Sequence, residues 1–280
     1  MSRLISIGRQ LSSRSEQRVE VLLRGGLGNQ LFGWAAGMNL ANRIGFPLHL
    51  VTREYQSGAN QIRKFELDQL LNSRVTSGPD VNSRKSFREK GFSYDVAIEA
   101  ISKPIVLDGY FQSARYFSQS KNDILAALRK TEDFRRGSAA HRQDFIGVQI
   151  RRGDYLNPIQ SSFHGVVPEE HFLRVIPLLR ALVGPLPVRV FSDDLEVATA
   201  FSGNLPGTYA HSPGPTESSL ETLGCLSSAK ALAISNSSFG WWAAYLSGKK
   251  VPVITPRPWF RNRQIDTSDL LIKSWLTLGF

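Results

Sequence analysis

The chain has a single cysteine, Cys225, among 280 residues, so no internal disulfide can form and the fold must rest on buried apolar surface. It has no apolar run of membrane-helix length; its longest are strand-sized. Zinc-ligand spacings, histidine pairs at i, i+4 and the Asp-x-Asp pattern of manganese-dependent sugar transferases are all missing, which leaves no sequence signature of a bound metal. The five histidines are scattered and read as structural or surface groups. No Lys-containing phosphate loop is present, which disfavours nucleotide hydrolysis of that type. Internal repeats and low-complexity tracts are also lacking.

What the chain does have is positive charge. Lys and Arg exceed Asp and Glu by 10, which implies acidic partners: a nucleotide, a nucleic acid or an anionic membrane surface. The excess is spread out, and only residues 84–90 approach a cluster. No zinc finger, RNP-like aromatic strand or basic zipper helix points to sequence-specific nucleic-acid binding. Residues 1–18 carry Arg3, Arg9, Arg14 and Arg18 among serines, with Glu16 the one acid. They read as a flexible extension, with a transit segment as the alternative.

A βαβ opening follows. Residues 19–23 read as a strand, and Leu31, Phe32, Ala35, Ala36 and Leu40 fall at helical spacing. Gly45 and Pro47 punctuate the helix exit, and 48–51 form a second strand. Residues 52–104 are weakly patterned, polar and basic, consistent with short helices and loops. A strand returns at 105, a helix is expected at 121–131, and the charged stretch 130–142 is the candidate linker. Strands at 145–150, 188–192, 231–235 and 251–254 then alternate with helical patterns near 168–183, 217–229 and 238–247. Such alternation specifies a parallel sheet covered by helices. The expected architecture is α/β, with two Rossmann-like domains, 19–140 and 141–280, whose parallel sheets face a central cleft, and with room for C-terminal residues to cross back.

Three strand ends in the second half carry the chemistry. Residues 148–155 (Val-Gln-Ile-Arg-Arg-Gly-Asp-Tyr) run from an apolar strand onto Arg151, Arg152 and Asp154. In an open α/β sheet, side chains at a strand's carboxyl end open into the ligand crevice. A guanidinium there offers forked donors to phosphate oxygens and keeps its charge. Successive strand residues alternate in direction, so one arginine is expected in the crevice and the other on an acid. The strand ending at Ser192 delivers Asp193 and Asp194. These acids could accept from a guanine base, cap the next helix or, less readily, bind a metal. Residues 234–242 lead from a strand into Asn236, Ser237, Ser238 and Phe239 at a helix start, either an ordinary serine cap or an anion site. Trp241 and Trp242 point about 100° apart on that helix, so at most one is expected in the core. Convergent arginine, carboxylate and helix amides describe a site for a base linked to a diphosphate.

In the first half, residues 25–30 (Gly-Gly-Leu-Gly-Asn-Gln) follow a strand and open a helix. Gly26 and Gly28 imitate a dinucleotide fingerprint, but Leu31 occupies the third glycine position. A tight turn is the plain reading. Asn29 and Gln30 suit hydrogen bonds to sugar hydroxyls, which would make the loop the acceptor side.

These blocks resemble glycosyltransferase family eleven, the α-1,2-fucosyltransferases. The matching blocks are residues 25–30 with Phe32 and Ala35, 109–117, 150–156, 163–166, 191–194, 235–242, and Pro256, Trp259 and Phe260. The resemblance implies a GT-B fold, with GDP-fucose in the C-terminal half and a galactose-terminated glycan at the N-terminal half. It implies inversion at the fucose anomeric carbon, without a metal or other cofactor. Arg151 matches the first arginine of the family's His-x-Arg-Arg motif and should contact the donor diphosphate. Two departures stand out: Gln149 replaces that histidine, and Gly240 and 243–245 differ from the bulkier family pattern. Asp154 is the first candidate base and His164 the second, although Asp154 could instead only hold an arginine. A cytoplasmic enzyme is expected, with peripheral association at an anionic inner leaflet as a second placement. Rival readings are a relative using another sugar nucleotide and, from another class, a basic protein holding nucleic acid by charge alone.

Overall fold

A computed structural model describes residues 17–280 except 57–62, 84, 141–142 and 249. The expected extension at 1–18 therefore lies, but for its last two residues, outside the described residues. The chain forms two compact units. Unit 1 comprises residues up to Leu128 together with Ser268–Leu270, and unit 2 comprises Arg129–Thr267 and Leu271–Phe280.

Unit 1 is built on five parallel strands, β1 (Val19–Leu22), β2 (Leu48–Val51), β3 (Val75–Gly78), β4 (Ser86–Arg88) and β5 (Val106–Asp108). They are ordered β3-β2-β1-β5-β4. Helix α1 (Leu27–Ile44) starts inside the glycine loop and ends on Gly45, whose φ of 79° lets its N–H reach the Ala41 carbonyl. Gly37 permits close packing on the sheet: a Cβ there would sit 2.6 Å from Val21 Cγ2. Strands β3 and β4 lie where only short helices and loops were expected.

Helix α2 (Lys121–Lys130) leads to α3 (Glu132–Ala139). The expected linker at 130–142 is thus helical over much of its length. Its charges line an exposed face, while Phe134 and Gly137 pack on α7 (Ser219–Ser227) closely enough that Gly224 has no room for a Cβ.

The second sheet has six parallel strands. They are β6 (Ile146–Ile150), β7 (Val188–Ser192), β8 (Thr208–Ala210), β9 (Ala231–Ile234), β10 (Val253–Arg257) and β11 (Leu276–Gly279). The order is β11-β10-β9-β6-β7-β8. Helices α4 (Pro158–His164), α5 (Glu169–Val183), α6 (Leu195–Gly203) and α8 (Ser238–Ser247) complete the unit. Residues Ile146, Val148, Phe172, Ile176, Val190 and Ala233 are at most 1% exposed in its core. The expectation for the tryptophans is corrected here: Trp241 and Trp242 are both fully buried. Apart from its serines and the Tyr245 hydroxyl α8 is apolar on every side, and all but its first turn and Tyr245 is largely buried.

Candidate active site

The carboxyl ends of β6, β7 and β9 meet in unit 2. The backbone N–H of Arg151 donates to Ser235 Oγ at 2.9 Å, which ties the end of β6 to the segment entering α8. Ser235 also donates through Oγ to the Gln149 carbonyl at 2.9 Å, and its N–H reaches Gln149 Oε1 at 3.2 Å. Gln149, at the position of the family histidine, is thus a buried brace. The two departures from the family pattern touch: a Cβ on Gly240 would lie 2.6 Å from Gln149 Oε1.

Arg151 sits between two acids. One terminal nitrogen pairs with Asp154 and the other with Asp193 Oδ2 at 2.9 Å. Its guanidinium lies 5.3 Å from the centre of the Tyr155 ring, and the Tyr155 hydroxyl donates to the Asn236 carbonyl at 3.0 Å. The side chain is 15% exposed, so it is held in place yet reachable. Two carboxylates use only part of a guanidinium's five donors, leaving the others for an anion.

Asp193 and Asp194 divide the work that the sequence left open. Asp193 Oδ1 accepts from the Arg152 N–H at 2.9 Å while Oδ2 holds Arg151. Asp194 caps α6, accepting from the N–H groups of Glu196 and Val197. Asp194 thus takes the capping alternative, while Asp193 serves the two arginines.

Arg152 corrects its expected donor role. Its guanidinium turns inward, donating to the carbonyls of Arg151 and Val167 at 3.0 Å each, with Glu169 at 4.0 Å. Burial lowers its pKa, with Glu169 the leading opposing charge. Asn236 also departs from expectation: its amide nitrogen donates to the carbonyls of His164, Gly165 and Trp259. It clamps two loops instead of offering an amide to the crevice. Ser237 is the buried N-cap of α8, and Ser238 and Phe239 are half-exposed at its first turn.

His164 stacks on Tyr155 with ring centres 4.5 Å apart. Burial lowers its pKa from 6.5, as does Arg151, against an opposing effect of Asp154. The imidazole is therefore neutral at pH 7. Tyr155, which with Ser235 joins Arg151 to the α8 entry, was given no role from sequence, whereas Ser235 lay in one of the strand ends singled out there. Tyr155 lies within the matching block, so its place beside the arginines was the available signal.

In unit 1 the glycine loop is a structural turn braced from several directions. Gly25 has φ 69°, and Gly26 is the N-cap of α1. Gly28, Asn29 and Gln30 lie within the first turn of α1, not before it. Gln30 is fully buried: Oε1 accepts from the Glu66 N–H, and Nε2 donates to the carbonyls of Gly25 and Lys64. That removes it as a sugar-binding amide. Asn29 Oδ1 accepts from Gln112 Nε2 at 2.8 Å. Beside the loop, Asp108 at the end of β5 pairs with Arg24 at 2.7 Å and Arg88 at 2.9 Å.

Among the described residues no group of three or more His, Cys, Asp or Glu side chains is placed to hold a metal ion. Among them, too, no helix is long and apolar enough to cross a membrane.

Two parallel α/β units, one carrying an arginine and a helix start at its strand ends, define a glycosyltransferase of the GT-B type. The family model for glycosyl transferase family 11 matches residues 6–278, and the chain belongs to that family. Its relatives include the O-antigen biosynthesis glycosyltransferase WbnK of Escherichia coli, 26% identical over 91% of this chain and 99% of the relative. An α-1,2-colitosyltransferase of Escherichia coli is 27% identical over 91% of this chain and 97% of its own length. The galactoside α-(1,2)-fucosyltransferase 2 of Oryctolagus cuniculus is 25% identical over 80% of this chain and 65% of its own. Among solved structures, the fucosyltransferase NodZ from Bradyrhizobium shares the fold, with TM-score 0.51, 16% identity and coverage of 82% and 93%.

Proposed function

We propose that the chain transfers L-fucose from GDP-fucose to the 2-hydroxyl of a terminal galactose on a glycan acceptor. Transfer inverts the fucose anomeric carbon and uses no metal ion. Support for the sugar and the linkage comes from the relative named a galactoside α-(1,2)-fucosyltransferase. The observation that carries the chemistry is the Arg151 guanidinium held at the end of β6 by Asp154 and Asp193.

As the bond between C1 and the departing oxygen breaks, positive charge develops on the sugar and negative charge on the diphosphate. A fixed guanidinium, on a strand end that Ser235 ties to the α8 entry, and the free amides of the α8 start would stabilise that second charge without reorganising. Asp154 serves Arg151, and His164 is the group whose neutral ring suits acceptance of the incoming hydroxyl's proton. The rate should then fall with acid through a pKa below 6.5. His164→Gln should remove that acid limb, whereas an unchanged profile would return the role to Asp154.

A second reading keeps the site and changes the sugar, because diphosphate contacts do not identify the sugar and one relative is named for colitose transfer. Side-by-side turnover with GDP-fucose and the corresponding nucleotide-activated colitose, with product linkage read by NMR, separates the two. Turnover with colitose alone sinks the fucose reading; a linkage other than 1,2 sinks the galactoside 2-hydroxyl.

A further inference from the structure

We infer that Leu156, Ile159 and Phe163, together with Arg261 and Arg263, form a surface that rests on an anionic lipid membrane. Helix α4 buries none of its own residues. Ile159 is 76% exposed, Leu156 58% and Phe163 39%. Ile159 and Phe163 are four apart and so share one face of the helix. A soluble surface rarely groups large apolar side chains in this way without a partner.

The surroundings of the patch say what covers it. Residues 155–168 contain no acid, and neither do residues 257–265, which carry three arginines. The two segments are joined: Arg261 donates its N–H to the Phe163 carbonyl at 3.0 Å, and the Phe163 and Phe260 rings lie 5.2 Å apart. Arg261 and Arg263 are both exposed. An apolar helix face bordered by exposed arginines is the pattern of a segment lying in a membrane interface, where acyl chains take the apolar groups and anionic headgroups the guanidinia. The chain's excess of ten positive charges attracts it to the same surface. A second copy is a poorer occupant, because a two-fold contact sets the same patch against itself and brings arginine to arginine. Asn236 holds the carbonyls of His164 and Gly165, so this surface adjoins the Arg151 site. A protein resting on it would offer that site to an acceptor carried by lipid. The surface does not depend on which sugar is transferred.

The test is flotation of the full chain with vesicles of phosphatidylcholine alone or mixed with phosphatidylglycerol. The protein should float with the anionic vesicles only, and the floating fraction should fall as salt rises. Arg263→Gln should weaken partitioning about fivefold, the worth of one arginine near such a surface. Ile159→Glu should weaken it at least as much. Titration with GDP should be unchanged in both variants. Failure of the wild type to float, or equal flotation of the variants, overturns the proposal. So does a wild-type dimer, without vesicle binding, that Ile159→Glu dissociates. If the wild type floats but does not bind GDP, the membrane surface stands and the reading of the site falls.

Discussion

Gly153 has φ 31°, and its missing Cβ would point at the Asp193 carboxylate. That carboxylate holds both the Arg151 guanidinium and the Arg152 amide, so a side chain at 153 must displace the arginine. Misplacing a catalytic contact by about 1 Å costs roughly a hundredfold in rate. Gly153→Ala should therefore lower kcat about that much and, because alanine is strained at that φ, lower the thermal melt as well; unimpaired turnover would show that the clasp does not matter. A second prediction concerns Gln149 and Gly240. Gly240→Ala puts a methyl 2.6 Å from Gln149 Oε1 and 3.0 Å from Ile234 Cβ, and such overpacking costs about 1–3 kcal/mol. Gln149→Ala removes one of those neighbours, so the two changes should couple in a double-mutant cycle measured by denaturant unfolding. Strictly additive losses would contradict the contact.

At the scale of elements, Asp194 separates a cap from a base-reading group. As the N-cap of α6 it should lose about 1 kcal/mol on Asp194→Ala, with donor affinity preserved. A lost affinity with unchanged stability would reverse the assignment. The same element shows what the sequence could and could not disclose. The strand ends at Arg151, Asp193 and Ser235 were legible because central parallel strands are buried on both faces and read as apolar runs that stop abruptly. The partition between Asp193 and Asp194 was not, since it depends on which carboxylate points along β6 and which turns back onto its own helix. Edge strands were equally illegible. β3 is Val-Thr-Ser-Gly and β8 is Thr-Tyr-Ala, short and partly exposed, so no apolar run marks them. Gln30 misled in the opposite direction: an amide beside glycines suggested a ligand, but a fully buried amide must find partners, and here the backbone supplies them.

For the whole molecule, three buried histidines and the partly buried His164 set the response to acid. Burial lowers the pKa of His49, His164, His171 and His211 from 6.5, with nearby arginines adding to it. A group whose folded pKa is depressed gives stability above its unfolded pKa and loses it as pH falls towards the folded one. Glu217, also lowered, acts in the same direction below 4.5. Glu89, raised by burial, acts the other way. The histidines outnumber it, so Tm should drop between about pH 7 and about pH 5. A flat melting profile across that interval would show that these rings are not held neutral.

The central claim is that Arg151 takes up the charge of a leaving diphosphate, and calorimetric titration of GDP tests it most directly. Wild-type protein should bind GDP equally with and without a chelator. Arg151→Ala should bind at least about tenfold more weakly at an unchanged Tm, the loss of one charge-assisted contact. Equal GDP affinity in Arg151→Ala, or binding that vanishes with the chelator, would contradict the account.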